Sequence, residues 1–481
     1  MPSIGHRTRW LIPGRATALW TGAGVLVAMV PALWMWGFTV DDALIAVRYS
    51  RHLAAGLGWS FNAHGPSTDG VTPLPWPLVL APLTDADALT VLFRAKGLGL
   101  ALWAVTGGVL GRAIGRVIAA SAGARAMTLA TVALSVPLAA YAVAGMETPL
   151  ATLLATCAAV AARRSRTAAL LAGLAASFRP EMAPWALVLG AGLAVTARER
   201  VGRAVAAGAI ALAPFALCAA LRCVVWGRPI PLAVLAKPSD LDHGLAYTGA
   251  ALVVALVPIL AVAPLAIRRS PRAMAIGLAA LAHASAVAAA GGDWMPYGRL
   301  WVPVVPSLAY AAVLVAVHAH PLATALRSSL AILVGVFLLA RNGDAGRHVG
   351  ADRRALVLAA RPRLASVRRV AALDVGWVGA ATDADVVDLA GLTDPEIASL
   401  RGGHTSKHVD VRFLLDRDPD ALLLYAPLGL PAGGSWRDVT YPRAVEARLA
   451  KDDRIARHFA KTPTWLALGT QGAGYVLLEK P

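Results

Sequence analysis

Residues 17–55 read TALWTGAGVLVAMVPALWMWGFTVDDALIAVRYSRHLAA, and this stretch decides the fold. Its first part, Thr17 to Gly37, carries no charged side chain and is long enough for one helix to cross a bilayer. It ends in bulky residues rather than in the small residues of a signal-peptidase site, so we expect an uncleaved first helix. The adjacent carboxylates Asp41 and Asp42 follow, and the apolar spacing from Asp42 to Ala55 predicts an amphipathic helix at the membrane surface.

The composition of the whole chain extends this pattern. Of its 481 residues, 57% are hydrophobic and 15% are charged, whereas soluble domains carry about 25% charge, so an ordinary soluble enzyme is excluded. Apolar runs of roughly spanning length recur along the chain. They lie near residues 17–37, 89–110, 126–144, 148–162, 167–178, 181–197, 204–226, 246–267, 273–290, 299–318 and 324–340. We therefore expect an α-helical polytopic membrane protein with about eleven transmembrane helices.

The net charge of +17 does not indicate a nucleic-acid partner, because the basic residues form no stripe with interleaved aromatics. They form short clusters at the ends of apolar runs, which is how membrane proteins fix their orientation. The clusters that fall in every second loop are Arg112/Arg116/Arg125, Arg163/Arg164/Arg166, Arg198/Arg200/Arg203 and Arg268/Arg269/Arg272. This alternation predicts a multi-pass protein in the bilayer, with a cytoplasmic N-terminus and an extracytoplasmic C-terminal domain.

The acidic residues are distributed unevenly. Only 11 of the 28 precede residue 341, and all of these except Glu199 fall at the predicted outer ends of the helices. The other 17 lie in the tail, whose strand-like segments near residues 370–375, 385–389, 421–425 and 474–478 predict a small α/β domain. We expect a transmembrane catalytic domain over 1–340, with its first outer loop at 38–88, and a soluble extracytoplasmic α/β domain over 341–481.

Four further outward turns carry unusual charge for residues near membrane depth, where ionisable groups are costly and indicate function. Together with the first loop they supply Asp41, Asp42, Arg48, Glu147, Arg179, Glu181, Lys237, Asp293 and Arg299. Taken singly, each turn is more often a loop cap or a membrane anchor than part of a functional site. Because all of them face the same predicted side, we expect one shared substrate site.

The chemistry that fits these residues is transfer from a phosphate-linked lipid. Arg48, Arg179, Lys237 and Arg299 would hold the phosphate and stabilise it as it leaves. Asp41 or Asp42 would act either as a base on the acceptor hydroxyl, which inverts the anomeric centre, or as a nucleophile, which retains it. The sequence leaves both routes open.

The sequence requires no cofactor, although a divalent cation could bind through the adjacent oxygens of Asp41 and Asp42. His404 and His408 stand four residues apart, which is the spacing of a metal pair on a helix. However, Gly402 and Gly403 disfavour a helix at this point. Metal dependence therefore stays open.

The same residues resemble a known family, the GT-C glycosyltransferases, and most closely its terminal arabinofuranosyltransferases of the mycobacterial cell wall and their bacterial relatives. The matching first-loop residues are Asp41-Asp42, Ile45, Arg48-Tyr49, Leu53, Gly56, Gly58, Phe61-Asn62, Gly70, Thr72, Pro73-Leu74 and a shifted Trp76. Further matches are residues 145–149, 179–181, 291–296, Arg299, 374–376 and 388–394. His52 and the inserted Pro75 depart from the family pattern.

The resemblance implies a GT-C fold in a bacterial inner membrane. It also implies a polyprenyl-phosphate sugar donor, which we expect to carry arabinofuranose, and a cell-envelope glycan acceptor such as arabinan. By analogy, the acids of the first loop would be catalytic and the outward arginines would hold the donor phosphate. The tail would correspond to the family's extracytoplasmic domain, with a role in acceptor binding.

Three other functions stay open at this point. A transporter of lipid-linked sugars would need charges near the bilayer midplane and broken helices. A non-catalytic relative could serve as an envelope scaffold, because members of one fold can lose their chemistry. A hydrolase would act on the same lipid with water as the acceptor.

Overall fold

The computed structural model describes residues 14–161, 165–197, 200–254, 264–429, 435–459, 461–469 and 472–481. Some of the sequence predictions fall elsewhere. Arg163, Arg164, Arg198 and Glu199, and part of the apolar run at 246–267, lie outside the described residues. The orientation that these residues predict therefore stays an expectation.

Helices dominate the first two thirds of the chain. In chain order they are α1 (Arg15–Trp34), α2 (Asp41–Ala54), α3 (Trp76–Leu80), α4 (Ala88–Gly115), α5 (Ala122–Ala133), α6 (Val136–Ala142), α7 (Thr148–Val160), α8 (Ser165–Phe178), α9 (Ala183–Thr196), α10 (Val201–Trp226), α11 (Leu232–Ala236), α12 (Leu241–Val254), α13 (Pro271–Ala289), α14 (Val305–Ala316) and α15 (Pro321–Leu364). A 3-10 segment, Pro296–Val304, leads into α14.

Within the described ranges, six helices are long and apolar enough to cross a membrane. They are α1, α4, α10, α13, the continuous segment Pro296–Ala316, and α15. Helices α5 and α6 pass the same test only as a pair, which is bent by 59° at Ser135 and would make a seventh span. The chain is thus a helical membrane protein, and the expected number of eleven spans stays a prediction.

Small residues allow a close helix contact between α1 and α4. A Cβ atom at Gly24 would lie 2.1 Å from the carbonyl oxygen of Gly107, and one at Gly111 would lie 2.1 Å from that of Trp20. Without a hydrophobic driving force between helices in lipid, such close backbone approach provides the van der Waals contact that holds them together.

Helix α15 runs for 44 residues and joins the bundle to the C-terminal domain. The expected boundary at residue 341 falls inside this helix. Beyond it lie α16 (Val375–Ala381), α17 (Pro395–Ser399), α18 (Val411–Asp416), α19 (Ala444–Lys451) and α20 (Asp453–His458). The strands are β1 (Arg369–Ala372), β2 (Asp385–Asp388), β3 (Ala421–Ala426), β4 (Thr464–Ala467) and β5 (Gly474–Glu479).

These strands form one sheet in the order β2-β1-β3-β5-β4. Strand β1 is parallel to β2 and β3, whereas β5 is antiparallel to β3 and β4. Continuous burial along β3 and β5 places the core of the tail on both faces of these central strands. The small α/β domain expected from the sequence is present, with β4 as a strand that the sequence reading did not include.

Candidate active site

A cavity of about 330 Å³ opens at the end of the bundle that faces the C-terminal domain. Leu392 of that domain contributes to its lining, together with residues from the first loop and from several helix ends. Seven of the nine residues singled out from the sequence line this cavity: Asp42, Glu147, Arg179, Glu181, Lys237, Asp293 and Arg299. The structure therefore brings most of the predicted charged turns together.

The first cluster in the cavity is centred on Arg179. The residue before a proline is pushed out of the helical region, so α8 ends at Phe178 and Arg179 takes an extended conformation. Its Nη1 donates to Oε1 of Glu147 at 2.8 Å, and its Nε lies 2.8 Å from Oε1 of Glu181. Arg179 Nη2 and Glu147 Oε2 are buried and have no hydrogen-bond partner within the described ranges.

The second cluster is centred on Arg299. Two consecutive residues with positive φ, Tyr297 (63°) and Gly298 (59°), turn the chain between Asp293 and Arg299. Arg299 Nε lies 2.7 Å from Oδ2 of Asp293, and Arg299 Nη1 lies 3.3 Å from Oδ2 of Asp42. Burial alone would raise the pKa of Asp293, but the neighbouring Arg299 guanidinium holds that pKa below its ordinary value. Asp293 is therefore a fixed anion that orients Arg299.

Asp42 is the most accessible carboxylate of the cavity. Its side chain is 28% exposed, compared with 1% for Glu147, 13% for Glu181 and 5% for Asp293. Its only hydrogen bond in the described part of the chain is the one from Arg299. Of the four acids, Asp42 is the one whose oxygens can meet an incoming hydroxyl.

Lys237 follows α11 and is half-buried at the cavity wall. Within the described ranges its ammonium group makes no hydrogen bond and no ion pair. Its charge helps to lower the pKa of Asp293, but no carboxylate contacts it within the described ranges, so it can also bind an anionic ligand.

The two remaining residues of the first loop, Asp41 and Arg48, lie outside the cavity. The oxygens of Asp41 accept hydrogen bonds from the backbone N–H groups of Gly376 (2.8 Å) and Trp377 (2.9 Å), at the start of α16. Asp41 and Asp42 thus have different partners. Among the residues described, no group of three His, Cys, Asp or Glu side chains is placed to hold a metal ion.

Arg48 binds the other end of the same helix. Its guanidinium donates to the carbonyl oxygens of Gly379 (3.2 Å), Thr382 (2.9 Å) and Ala384 (2.7 Å), and its Nε donates to that of Phe61 (2.6 Å). The carbonyls of Gly379 and Thr382 belong to the end of α16, where a helix leaves backbone groups without internal partners. Arg48 is therefore occupied by the protein, and the structure gives it a contact between domains in place of the predicted phosphate contact.

Glycines in α16 let α2 approach closely enough for these bonds. A Cβ atom at Gly376 would lie 2.1 Å from the carbonyl oxygen of Asp41, and one at Gly379 would lie 2.9 Å from Cδ of Arg48. Asn62 adds a further contact, because its amide pairs with both backbone groups of Val386 in β2 at 2.9 Å. The first loop thus joins the bundle to the C-terminal domain, with Asp41 and Arg48 on the domain side and Asp42 on the cavity side.

Sequence reasoning missed a buried ion-pair cluster beside the cavity. Asp69 is fully buried, and its carboxylate binds Arg222 (Nε to Oδ2, 3.0 Å) and Arg228. Arg222 lines the cavity from near the end of α10 and also donates to the carbonyl oxygen of Thr72 at 2.7 Å. Arg222 is the single arginine inside the otherwise apolar run 204–226. Ionisable residues in such runs indicate function, so this signal could have identified the cluster.

Three buried carboxyl groups, one at the domain contact and two inside the C-terminal domain, give the folded protein a defined pH dependence. Burial raises the pKa of Asp41 to about 6, that of Asp388 to about 7 and that of Glu446 to about 8. The folded protein therefore binds these protons more tightly than the unfolded chain does. The stability that this contributes is complete below about pH 4 and is lost as the pH rises through about 6 to 8.

We accordingly expect a higher unfolding temperature in detergent at pH 5.5 than at pH 8.5, as measured by scanning fluorimetry. In Asp41→Asn the part of this difference between about pH 5 and pH 7 should shrink. Unfolding temperatures that are flat or rising over this range would contradict the burial of ionisable groups described above.

Comparison with known families gives one match. Residues 347–476, which comprise the last part of α15 and most of the C-terminal domain, match a family described as a domain of unknown function (DUF8728). Comparisons with curated proteins and with solved structures gave no match.

Proposed function

We propose that this protein is a membrane glycosyltransferase that moves a sugar from a polyprenyl-phosphate donor to a glycan of the cell envelope. The observation that carries the proposal is the partly exposed carboxylate of Asp42 in a cavity that also holds four cationic side chains, Arg179, Arg222, Lys237 and Arg299. The donor sugar that we expect is arabinofuranose, on the resemblance of the first-loop and turn residues. The expected site is the extracytoplasmic face of a bacterial inner membrane.

The cations of the cavity support a phosphate ligand. Arg179 and Arg299 are held in place by carboxylates, so little of their binding energy is spent on ordering flexible side chains. Arg179 Nη2 is a buried donor without a partner in the described structure, and Lys237 forms no direct ion pair there. A phosphodiester would satisfy both groups.

The apolar side of the cavity supports a lipid-linked donor. Phe215 of α10, Ile230 and Val234 near α11, and Ala286 and Ala290 of α13 line it. Helices α10 and α13 both pack on α9. Large apolar side chains on these two helices, such as Leu221 and Leu281, are exposed on the bundle surface. A polyprenyl chain could therefore lie along apolar surface that reaches the bilayer, with its phosphate among the cations.

Asp42 supplies the reactive group in either of two balanced routes. As a base, it takes the proton of the acceptor hydroxyl while that oxygen bonds to the anomeric carbon and the C–O bond to the phosphate breaks. As a nucleophile, its oxygen bonds to the anomeric carbon while the C–O bond to the phosphate breaks; in a second step the acceptor oxygen displaces the carboxylate, which takes up the proton of the acceptor hydroxyl. In both routes the leaving phosphate keeps the electron pair and is stabilised by Arg179, Lys237 and Arg299.

The test is transfer by the purified protein. Radiolabelled polyprenyl-phosphate arabinofuranose and other lipid-linked sugars would each be incubated with a synthetic arabinan acceptor, with and without a chelator. Elongation from the arabinofuranose donor supports the full proposal, and elongation from a different donor alone removes only the sugar assignment. If no lipid-linked sugar reacts, the enzyme proposal fails and a scaffold or transport role replaces it.

A further inference from the structure

An exposed tryptophan stands at the rim of the cavity. Trp294 follows Asp293, which lines the cavity, and 65% of its surface is exposed. Its indole stacks on the imidazole of His243, with ring centroids 4.3 Å apart and an interplanar angle of 14°. His243 is itself fixed, because its Nδ1 lies 2.6 Å from the carbonyl oxygen of Gly291. One face of the indole is thus held in place while most of its surface stays free.

The C-terminal domain contributes a second ring to the same place. The imidazole of His404 lies 5.8 Å from the indole of Trp294, at an angle of 56°. The loop that carries His404 is ordered, because Gly403 N donates to Ser406 Oγ at 3.0 Å and Val445 N donates to the carbonyl oxygen of Thr405 at 3.2 Å. Two domains that are far apart in sequence therefore form one aromatic corner beside the cavity.

His404 is within electrostatic range of the reactive end of the cavity. Burial, followed by the charge of Lys237, lowers its pKa to about 4, with Asp42 and Asp293 acting in the opposite direction. The imidazole is therefore neutral at neutral pH, with one nitrogen as donor and the other as acceptor. Neither nitrogen makes a hydrogen bond in the part of the chain that the structure describes.

An interfacial membrane anchor explains this corner poorly. Anchoring tryptophans place their rings among lipid headgroups, whereas Trp294 contacts a residue of the C-terminal domain and borders an ionic cavity. A flat, rigid indole with a free face, beside a neutral hydrogen-bonding group, suits a ligand that has both an apolar ring face and hydroxyl groups. A sugar ring has this combination.

We propose that Trp294 and His404 form the acceptor subsite, in which one sugar ring of the acceptor glycan stacks on the indole and hydrogen-bonds to the imidazole. This inference rests on the proposed transferase function. It assigns the acceptor to the side of the cavity covered by the C-terminal domain and the lipid-linked donor to the side of α10 and α13. The stacked sugar places the next hydroxyl of the acceptor toward Asp42.

The test compares Trp294→Ala, Trp294→Phe and His404→Ala with the control Trp34→Ala. Trp34 is the last residue of α1, and its partly exposed indole lies against Arg347. We expect Trp294→Ala to raise the acceptor KM about tenfold or more, as loss of one stacked ring does. The donor KM should stay within twofold. Trp294→Phe should recover most of the affinity, His404→Ala should raise the acceptor KM severalfold, and Trp34→Ala should leave it unchanged.

A binding measurement separates failure of the subsite from failure of the proposed function. Saturation-transfer NMR with an arabinan oligosaccharide and no donor should show contact with the wild type and lose it in Trp294→Ala. If the oligosaccharide binds in this way but no donor is ever consumed, the subsite stands and the transferase function falls. If transfer occurs while all three variants keep the wild-type acceptor KM, or if they change only the donor KM, the subsite is overturned.

Discussion

Replacing Asp42 by Asn should lower turnover of the lipid-linked donor by about 10²- to 10⁴-fold, the usual effect of removing a general base. The variant should stay folded, because Asp42 is partly exposed and contributes one hydrogen bond with Arg299 at 3.3 Å. Donor binding should persist, since the phosphate contacts come from Arg179, Lys237 and Arg299. The measurement is kcat and donor KM of the purified variant, with its unfolding temperature recorded alongside.

Two neighbouring acids serve as controls for Asp42. Asp85→Asn alters an exposed pair with Arg94 in the same loop and should leave kcat within twofold of the wild type. Asp41→Asn alters the contact with α16, so we expect it to lower the unfolding temperature more than it lowers kcat at a temperature where the protein is folded. Equal loss of kcat in Asp41→Asn and Asp42→Asn, with both fully stable, would return Asp41 to the catalytic role first predicted for it.

Replacing Arg48 by Met should destabilise the junction between the bundle and the C-terminal domain by about 3 to 5 kcal/mol. The substitution removes hydrogen bonds to four backbone carbonyls, and buried carbonyls left without a donor cost about 1 to 3 kcal/mol each when they cannot rearrange. We expect the loss to appear as a lower unfolding temperature and as faster proteolysis of the C-terminal domain.

Arg51→Met is the matched control, because Arg51 lies on the same helix and pairs at 3.5 Å with Asp383, which is largely exposed. Such a pair contributes about 0 to 1 kcal/mol, so this variant should behave like the wild type. If Arg48→Met were as stable as Arg51→Met but bound the donor poorly, Arg48 would be a phosphate ligand after all.

The sequence predicted the composition of the cavity well because it rests on local signals. Charged residues next to Gly and Pro at the ends of apolar runs mark turns near the membrane surface, and turns on one side of a bundle converge. Glu147, Arg179, Asp293 and Arg299 were all found in this way, although they come from three separate turns of the chain. The resemblance added a function to this set, which the residues by themselves did not name.

The roles of Asp41 and Arg48 could not be predicted because they depend on a partner more than 300 residues away. Asp41 and Arg48 are seven residues apart, so helical periodicity places both on one face of α2. The structure shows both of them against α16. Periodicity does not tell which element covers that face. Gly376 and Gly379 carry the relevant signal, since small residues permit close helix approach, but only the folded chain shows which helix they admit.

The path of the chain through the bilayer was also incompletely predicted, for reasons that concern helix length and continuity. Ser135 lies in the middle of an expected continuous helix over 126–144, but Pro137 removes a backbone donor there and the chain bends by 59°. Conversely, the larger number of acidic residues after residue 341 predicted a domain boundary there, whereas α15 continues through this position to Leu364. A helix can leave the membrane without ending, so composition alone does not locate its last residue.

The central claim is most directly tested by following the release of polyprenyl phosphate from a sugar-loaded donor, with and without a saccharide acceptor. Wild-type protein should release more than one equivalent per enzyme only when the acceptor is present, in a one-to-one ratio with elongated glycan, and Asp42→Asn should bind the donor without releasing it. Equal release without acceptor would indicate a hydrolase. Absence of release under all conditions, with Asp42→Asn indistinguishable from the wild type, would contradict the account of this cavity as a glycosyl-transfer site.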